Sequence, residues 1–258
     1  MSYSIDESNL ERQQLLARLL LPVTVSALQL LELPTPASIL DIGCGLGHTT
    51  QMLSGHFAGA DVTGADLDET LLAVATSNYG HLPNLHFKKA DAASLPFDNN
   101  RFDLVFSRYL LMHVDDPVAA LAEMKRVCKP GGVIMAAEPD CSLFESHPHC
   151  GAYAQIPVWF ATLFKDALIG RKLGSHFTAA GWQDVAVYCR MAYEAADNQE
   201  VKRLIRLTAG AMGATLLNKK VADASFLQQV LAGLVRAEND AGTFLLTHPI
   251  VFATARKT

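Results

Sequence analysis

Short apolar runs alternate with helical patterns through the middle of the chain. The helical patterns place apolar residues three or four positions apart over residues 48–57, 69–79 and 117–127. The runs between them are rich in β-branched or other apolar side chains, and they cover residues 38–42, 62–65, 85–89, 104–107 and 133–137. Alternation of this kind predicts a parallel β-sheet with helices on both faces.

Helix boundaries are clearest around the third of these helices. Asp116 provides a capping carboxylate, and Pro117 at the first helical position needs no hydrogen-bond acceptor. The sequence Lys-Pro-Gly-Gly at 129–132 predicts the turn that ends the helix, because glycine is free to adopt a positive φ.

The last third of the chain has a different pattern. Residues 142–170 and 198–238 indicate helix without a clear strand, and a helix over 171–180 is stopped by Gly181. Strands are expected over 185–191 and 250–255. We therefore predict one α/β domain over residues 1–258, with an N-terminal helical cover at 1–33. Helical insertions at 142–170 and 197–240 are expected to cap a substrate, and the aromatic content of the first of them favours an apolar one.

The apolar stretch 15–33 is long enough to suggest a signal peptide or a membrane helix. Arg18, Pro22 and Glu32 interrupt it, and acidic residues precede it where a signal peptide requires positive charge. A buried amphipathic helix is therefore expected rather than a signal peptide or a membrane span.

Composition narrows the class of protein. Half of the 258 residues are hydrophobic and 18% are charged, so the chain can bury a core and is not disordered. The net charge is −5 and there is no lysine/arginine run, which argues against nucleic acid as a partner. Five cysteines without framework spacing fit a reducing cytoplasm. We expect a cytoplasmic monomer or homodimer without a membrane span.

A glycine-rich turn follows the first predicted strand. Asp41 precedes Gly43, Gly45 and Gly47, and a helix follows. Glycines at such a turn let a ligand approach the backbone closely. Asp41 would repel the pyrophosphate of a dinucleotide by about 4 kcal/mol at 4 Å in an effective dielectric of 20. The same carboxylate suits an ammonium group, which favours S-adenosylmethionine (SAM) over NAD.

Two further carboxylates follow the next two strands. Asp66 comes nineteen residues after Gly47, where an acid can accept hydrogen bonds from both ribose hydroxyls. Asp91 could accept from an adenine amino group while the Ala92 N–H reaches a ring nitrogen. Asp68 and Glu69 are more simply explained as caps of the following helix.

These motifs together closely resemble class I SAM-dependent methyltransferases, and within them the ubiquinone/menaquinone-biosynthesis-like group. The matching segments are LDIGCGLG at 40–47, GAD at 64–66, ADAASLPF at 90–97, FDLVFS at 102–107 and KPGG at 129–132. The resemblance covers about residues 38–140, and residues 171–190 resemble the later helix and the sixth strand of the family.

The resemblance implies a Rossmann-like, seven-stranded sheet of order 3-2-1-4-5-7-6 with the last strand antiparallel. It also implies SAM as cofactor. Asp41, Gly43 and Gly45 would hold its methionyl part, Asp66 the ribose, and Asp91 with Ala92 the adenine. Ser107 and Arg108 would form the edge of the methyl pocket, and we add Leu67, next to Asp66, to the cofactor-binding set.

Acceptor chemistry has fewer candidates. The sulfonium already carries a good leaving group, so a base is needed only for a nucleophile with a proton of high pKa. His113 could be that base, paired with Tyr3 as in some small-molecule methyltransferases, or it could anchor a turn. Glu138 could act as a base or cap a loop.

Two other groups of residues are not expected to form a metal site or a hydrolase site. The sequence His-Pro-His-Cys at 147–150 is too tight to form a metal site, so no metal is expected. Ser107 lacks a His/Asp set, which argues against a serine hydrolase.

The predicted function is transfer of the SAM methyl group to an O, N or C atom of a small, largely apolar biosynthetic molecule. A secondary metabolite would fit this description. One alternative is a SAM-binding protein of the same fold that catalyses another reaction, such as a cyclisation. Another is a non-enzymatic SAM-binding partner protein, and an NAD oxidoreductase is more distant.

Overall fold

The computed structural model describes residues 7–31, 33, 35–193 and 197–258. Backbone contacts divide the chain into two compact units. The sheet unit comprises Val25–Pro139, Leu168–Cys189 and Ile250–Thr258, and the helical unit comprises Met1–Thr24, Asp140–Ala167 and Arg190–Pro249.

The strands form two separate sheets. In chain order they are β1 (Ser38–Ile42), β2 (Asp61–Asp66), β3 (Leu85–Lys89), β4 (Phe102–Arg108), β5 (Cys128–Pro139), β6 (Glu145–His147), β7 (Ala186–Met191), β8 (Phe244–Leu246) and β9 (Pro249–Arg256). Seven of them form one sheet of order β3-β2-β1-β4-β5-β9-β7. The first five of these pair in parallel, and β9 runs antiparallel to β5. Numbered within this sheet, the order is 3-2-1-4-5-7-6, which confirms the prediction.

The helices are α1 (Glu7–Leu28), α2 (His48–His56), α3 (Glu69–Tyr79), α4 (Pro117–Val127), α5 (Gly151–Leu163), α6 (Leu173–Ala179), α7 (Asn198–Asn218) and α8 (Ala224–Asn239). Short 3₁₀ turns lie at Leu111–His113 and Ile169–Lys172. Within the described residues, no helix is both long and apolar enough to cross a membrane.

Helix starts agree with their predicted caps. The Asp116 carboxylate accepts from the Ala119 N–H at 3.0 Å, and Pro117 occupies the first turn of α4. The Asp68 carboxylate accepts from the N–H groups of Thr70 and Leu71 at the start of α3. Each carboxylate satisfies a donor that has no partner within its own helix.

Several predicted boundaries were wrong. Helix α1 ends at Leu28 rather than at residue 33, with Pro22 inside it. The segment 129–132 belongs to β5, where the β4–β5 register shifts between Phe102 and Leu104. The stretch 198–238 is helical as predicted, but it contains two helices, because Lys220 takes φ 57° and Asp223 caps the second.

The short β6–β8 sheet was not predicted. Its two strands have three residues each and pair antiparallel, Glu145 with Leu246 and His147 with Phe244. Both Phe244 and Leu246 are exposed. A three-residue strand with exposed apolar side chains has no alternating pattern, so only the long-range pairing reveals it.

The helical unit is held by close helix contacts and by ion pairs. A Cβ on Gly233 of α8 would lie 2.9 Å from the Cβ of Ala152, so this glycine lets α8 approach α5 closely. Arg18 donates to both carboxylate oxygens of Glu200, and Arg206 pairs with Glu238. The buried Lys202 ammonium donates to the carbonyls of Asp240 and Thr243 at 2.8 and 3.0 Å. The predicted cap insertions both contribute to this unit, and their role as caps stays a prediction.

Lys257 completes the end of α4 within the sheet unit. Its ammonium donates to the carbonyls of Lys125 and Cys128 and to the Asn100 side chain at 2.7–2.8 Å, with Arg126 O at 3.3 Å. A cation at a helix C-terminus can donate hydrogen bonds to the carbonyls that have no partner within the helix.

We expect Lys257→Met to lower the free energy of unfolding by about 2 kcal/mol, because carbonyls lose a charged donor. Urea denaturation measures the change. The matched control is Lys89→Met, since Lys89 forms an ion pair with the 73%-exposed Glu69 carboxylate and should change stability by less than about 0.5 kcal/mol. Equal losses in the two variants would contradict a specific role for Lys257.

Candidate functional site

Three aspartates come to the same edge of the large sheet. Asp41 lies at the end of β1, Asp66 ends β2, and Asp91 follows β3 by two residues. Because β1 pairs in parallel with β2 and β2 pairs in parallel with β3, these strands end side by side. In open α/β sheets, ligands bind at this carboxyl edge.

The glycine turn after β1 leaves the backbone open to a ligand. Gly43, Gly45 and Gly47 have φ values of 74°, 53° and 81°. A Cβ on Gly43 would lie 2.9 Å from the Leu110 side chain, whereas a Cβ on Gly45 would meet no atom within 4 Å. Gly43 is therefore required for packing, and the space beside Gly45 can accommodate a ligand.

Asp41 is a buried carboxylate with few protein partners. It is 1% exposed, and its Oδ2 accepts from the Thr50 hydroxyl at 2.7 Å. Burial raises the pKa of Asp41 to about 7, although the Thr50 hydrogen bond and the positive charge of Arg108 act in the opposite direction. A ligand with an ammonium group would favour the ionised form.

Thr49 and Thr50 at the start of α2 contact side chains of β4 and β1, and the sequence analysis did not identify them. The Thr49 hydroxyl accepts from Arg108 Nη2 at 2.8 Å, next to the Thr50 contact with Asp41. His48 Nδ1 lies 2.8 Å from the Tyr79 hydroxyl, and burial lowers the pKa of His48. Nothing in the sequence distinguishes these threonines from ordinary first-turn residues, so only their tertiary partners identify them.

Asp66 binds two backbone N–H groups. Its Oδ2 accepts from Gly45 at 2.8 Å, and its Oδ1 accepts from Asp68 at 3.0 Å. A carboxylate has about four lone-pair sites, so each oxygen can still accept from a ligand hydroxyl. The neighbouring Leu67 is 61% exposed.

The third aspartate lies in a tight turn. Asp91 Oδ1 accepts from the Ala93 N–H at 2.9 Å, and its carbonyl accepts from the Ser94 N–H at 3.0 Å. Ala92 between them is buried. The turn thus presents an exposed carboxylate beside a buried alanine.

Ser107 and Arg108 end β4 beside β1. Ser107 pairs with Ile42 in the sheet register, and its side chain is fully buried. Among the residues that the structure describes, its hydroxyl has no hydrogen-bond partner. A buried hydroxyl of this kind is available to a ligand at the end of the strand.

Glu138 fixes the turn that carries His113. Its carboxylate accepts from the N–H groups of Leu110, Leu111 and Met112 at 2.9, 2.8 and 3.4 Å. Burial raises the pKa of Glu138 to about 7 even though these three hydrogen bonds lower it. This geometry matches the loop-capping interpretation of Glu138. His113 ends the 3₁₀ turn next to Met112, and Tyr3 lies outside the described residues.

Metal ligands do not come together in the described part of the chain. No group of three His, Cys, Asp or Glu side chains there could hold a metal ion. The described site thus consists of carboxylates, hydroxyls, Arg108 and open backbone.

The comparisons with known proteins agree with this geometry. Residues 40–136 match the family described as "Methyltransferase domain". Demethylmenaquinone methyltransferase from Staphylococcus haemolyticus is 42% identical over 100 residues, which cover 38% of this chain and 42% of the relative. The chain spans less than half the length of this relative and of others like it.

Solved structures extend the likeness to nearly the whole chain. Phosphoethanolamine N-methyltransferase 2 from Haemonchus contortus, in complex with S-adenosyl-L-methionine, superposes with a TM-score of 0.60 at 20% identity. That match covers 91% of this chain and 51% of the other. The [4+2]-cyclase SpnF superposes with a TM-score of 0.59 at 20% identity, covering 92% and 81%. At this identity the superpositions show the fold alone.

Glu138 should make stability depend on pH. The pKa of Glu138 is higher in the folded than in the unfolded chain. Its contribution to the free energy of unfolding is therefore complete below pH 4.5 and is lost as pH rises through about 7. Between these pH values the free energy of unfolding should fall less in Glu138→Gln than in the wild type, by up to about 3 kcal/mol. Urea denaturation at a series of pH values measures it.

The control for this series is Glu69→Gln, which changes an exposed carboxylate. Asp41 also has a raised pKa, so part of the pH dependence should remain in Glu138→Gln. A pH profile that is identical in Glu138→Gln and the wild type would contradict the prediction.

Proposed function

Since residues 40–136 match a methyltransferase domain family, we propose that the protein transfers a methyl group from SAM to a small acceptor molecule. The observation that carries the proposal is the set of three aspartates at adjacent strand ends beside an open glycine turn. The acceptor we propose is largely apolar, and the methylated atom is O, N or C. We place the enzyme in the cytoplasm.

The site residues fit the parts of SAM. Asp41 is assigned to the ammonium group, because a buried carboxylate with a raised pKa gains most from a cation. Gly45 leaves space for the methionyl part, Gly43 is assigned to the same turn and lets it pack against Leu110, and Asp66 keeps free lone pairs for the ribose hydroxyls. Asp91 and Ala92 are assigned to the adenine.

The end of β4 is assigned to the reacting region. Ser107 offers a buried hydroxyl without a partner in the described residues, and Arg108 is held by Thr49. When bound, SAM supplies an electrophilic methyl group and its own leaving group. The chain then has to position the acceptor in line and exclude water.

His113 is the proposed base for an acceptor that carries a proton of high pKa. Glu138 is a positioning residue in this scheme, since its three hydrogen bonds fix the turn immediately before His113. Tyr3 stays the proposed partner of His113.

The first experiment is mass spectrometry of ligands released from the purified protein, followed by transfer of a labelled methyl group to a panel of small acceptors. Co-purified SAM or its demethylated product, together with labelled product, is the expected result. SAM binding without transfer to any acceptor would favour a cyclisation-type enzyme or a SAM-binding partner protein. Tight binding of NADH and not of SAM would overturn the proposal.

Asp66→Ala should weaken SAM binding by about 1.5–3 kcal/mol, because a charged acceptor of the ribose hydroxyls is lost. Isothermal titration calorimetry measures the affinity. The control is Asp61→Ala at the opposite end of the same strand, where the carboxylate is exposed and faces His86. Unchanged affinity in Asp66→Ala would remove the ribose assignment.

His113→Ala should lower kcat by about 100-fold or more while leaving SAM affinity unchanged, if proton removal limits turnover. The measurement uses the acceptor found in the labelling assay at saturating SAM. His81→Ala, in an exposed turn after α3, is the matched control. Full turnover in His113→Ala would exclude it as the base.

A further inference from the structure

The loop after β3 is fixed by two side chains of α4. It carries Asp91 and Ala92 at its start and continues to residue 101, where β4 is about to begin. Glu123 and Arg126 lie one helical turn apart on α4 and form a two-point ion pair, Nε to Oε1 and Nη2 to Oε2, both at 2.7 Å. Their remaining hydrogen-bonding capacity goes to this loop.

Arg126 holds three points of the loop. Its Nη1 donates to the Phe97 carbonyl at 2.7 Å and to Asn99 Oδ1 at 2.8 Å, and its Nη2 donates to the Leu95 carbonyl at 2.8 Å. A guanidinium group presents its donors in one rigid plane, so these contacts restrict orientation as well as distance.

Glu123 holds the same loop through the carboxylate that also pairs with Arg126. Its Oε2 accepts from the Leu95 N–H at 2.9 Å, so both the N–H and the carbonyl of Leu95 are bound to α4. The Arg126 hydrogen bond is the main reason that the pKa of Glu123 is lowered, which keeps the pair ionised. Leu95 is also buried, so its position is set by packing and by hydrogen bonds.

The turn between β3 and Leu95 is therefore held at both of its ends. On the first side, the Ala90 N–H donates to the Asp66 carbonyl at 2.9 Å. On the second side, Ser94 closes the turn on Asp91 and is followed at once by Leu95. The positions of the Asp91 carboxylate and the Ala92 N–H depend on both attachments.

We propose that Glu123 and Arg126 are positioning residues for recognition of the adenine ring, acting through the backbone of residues 95–99. The inference rests on the proposed function, because it takes SAM as the ligand. Distinguishing an amino group from a carbonyl on a purine requires a donor and an acceptor in fixed places. A loose turn would lose this discrimination before it lost affinity for the rest of the ligand.

The test compares two ligands that differ only at the purine. S-adenosylhomocysteine carries a 6-amino group, and its deaminated form, S-inosylhomocysteine, carries a 6-oxo group. We expect the wild type to prefer the amino form. Arg126→Met should reduce this preference by about tenfold or more, since the turn loses three contacts. Calorimetry with both ligands gives the ratio of affinities.

Matched variants separate positioning from general stability. Trp182→Phe removes the indole hydrogen bond to Leu121 O of the same helix without touching the loop. It should lower the melting temperature and leave the ligand preference unchanged. Arg126→Lys keeps a cation and should restore part of the preference. Glu123→Gln should reduce it, and this variant carries the test if Arg126→Met does not fold.

Each outcome has a separate meaning. A wild type that binds neither ligand overturns the proposed function. A wild type that binds both ligands equally overturns the adenine assignment of Asp91 and Ala92, and with it this inference. A wild-type preference that is unchanged in Arg126→Met and Glu123→Gln overturns the positioning role alone, and the pair is then structural.

Discussion

Parallel strands that end at one edge of a sheet leave backbone N–H groups without ladder partners, and buried donors of this kind need acceptors. In this protein, carboxylates supply them. Asp66 accepts from the glycine turn, Glu138 from the turn after β4, and Glu123 from the loop after β3. Wherever the acceptor is ionised, the hydrogen bond is stronger than one between neutral groups. The loops around the candidate site depend on these three side chains.

Asp41 differs from the other carboxylates in its partners. Glu138 is equally buried but accepts three backbone hydrogen bonds, whereas the one hydrogen bond described for the Asp41 carboxylate comes from Thr50. Burial of a carboxylate with so few donors is unfavourable without a counter-charge. Asp41 therefore costs stability in the free protein; the charge of Arg108 offsets part of that cost, and a cationic ligand would offset more of it. This contrast is why we propose a ligand-binding role for Asp41 and a structural role for Glu138.

The family match and the helical insertions lie in different parts of the chain. Residues 40–136 fall entirely within the sheet unit, and the site built from Asp41, Asp66 and Asp91 falls within them. Residues 142–163 and 198–239 contribute to the helical unit, outside the matched segment. The cofactor assignment thus has support from relatives, and the nature of the acceptor rests on the apolar character of the insertions.

The sequence by itself determined the alternation of strands and helices over residues 38–137, the glycine turn and the placement of three aspartates, because these depend on local periodicity, φ preferences and strand ends. It also identified the caps Asp68 and Asp116, which act within their own helices. Tertiary structure decided what depends on distant partners. Three contacts join segments whose proximity no local pattern encodes. They are the β6–β8 pairing, the Thr49–Arg108 hydrogen bond and the hydrogen bonds from Glu123 and Arg126 to residues 95–99. The same holds for Glu138, whose role follows from three N–H groups more than 25 residues away.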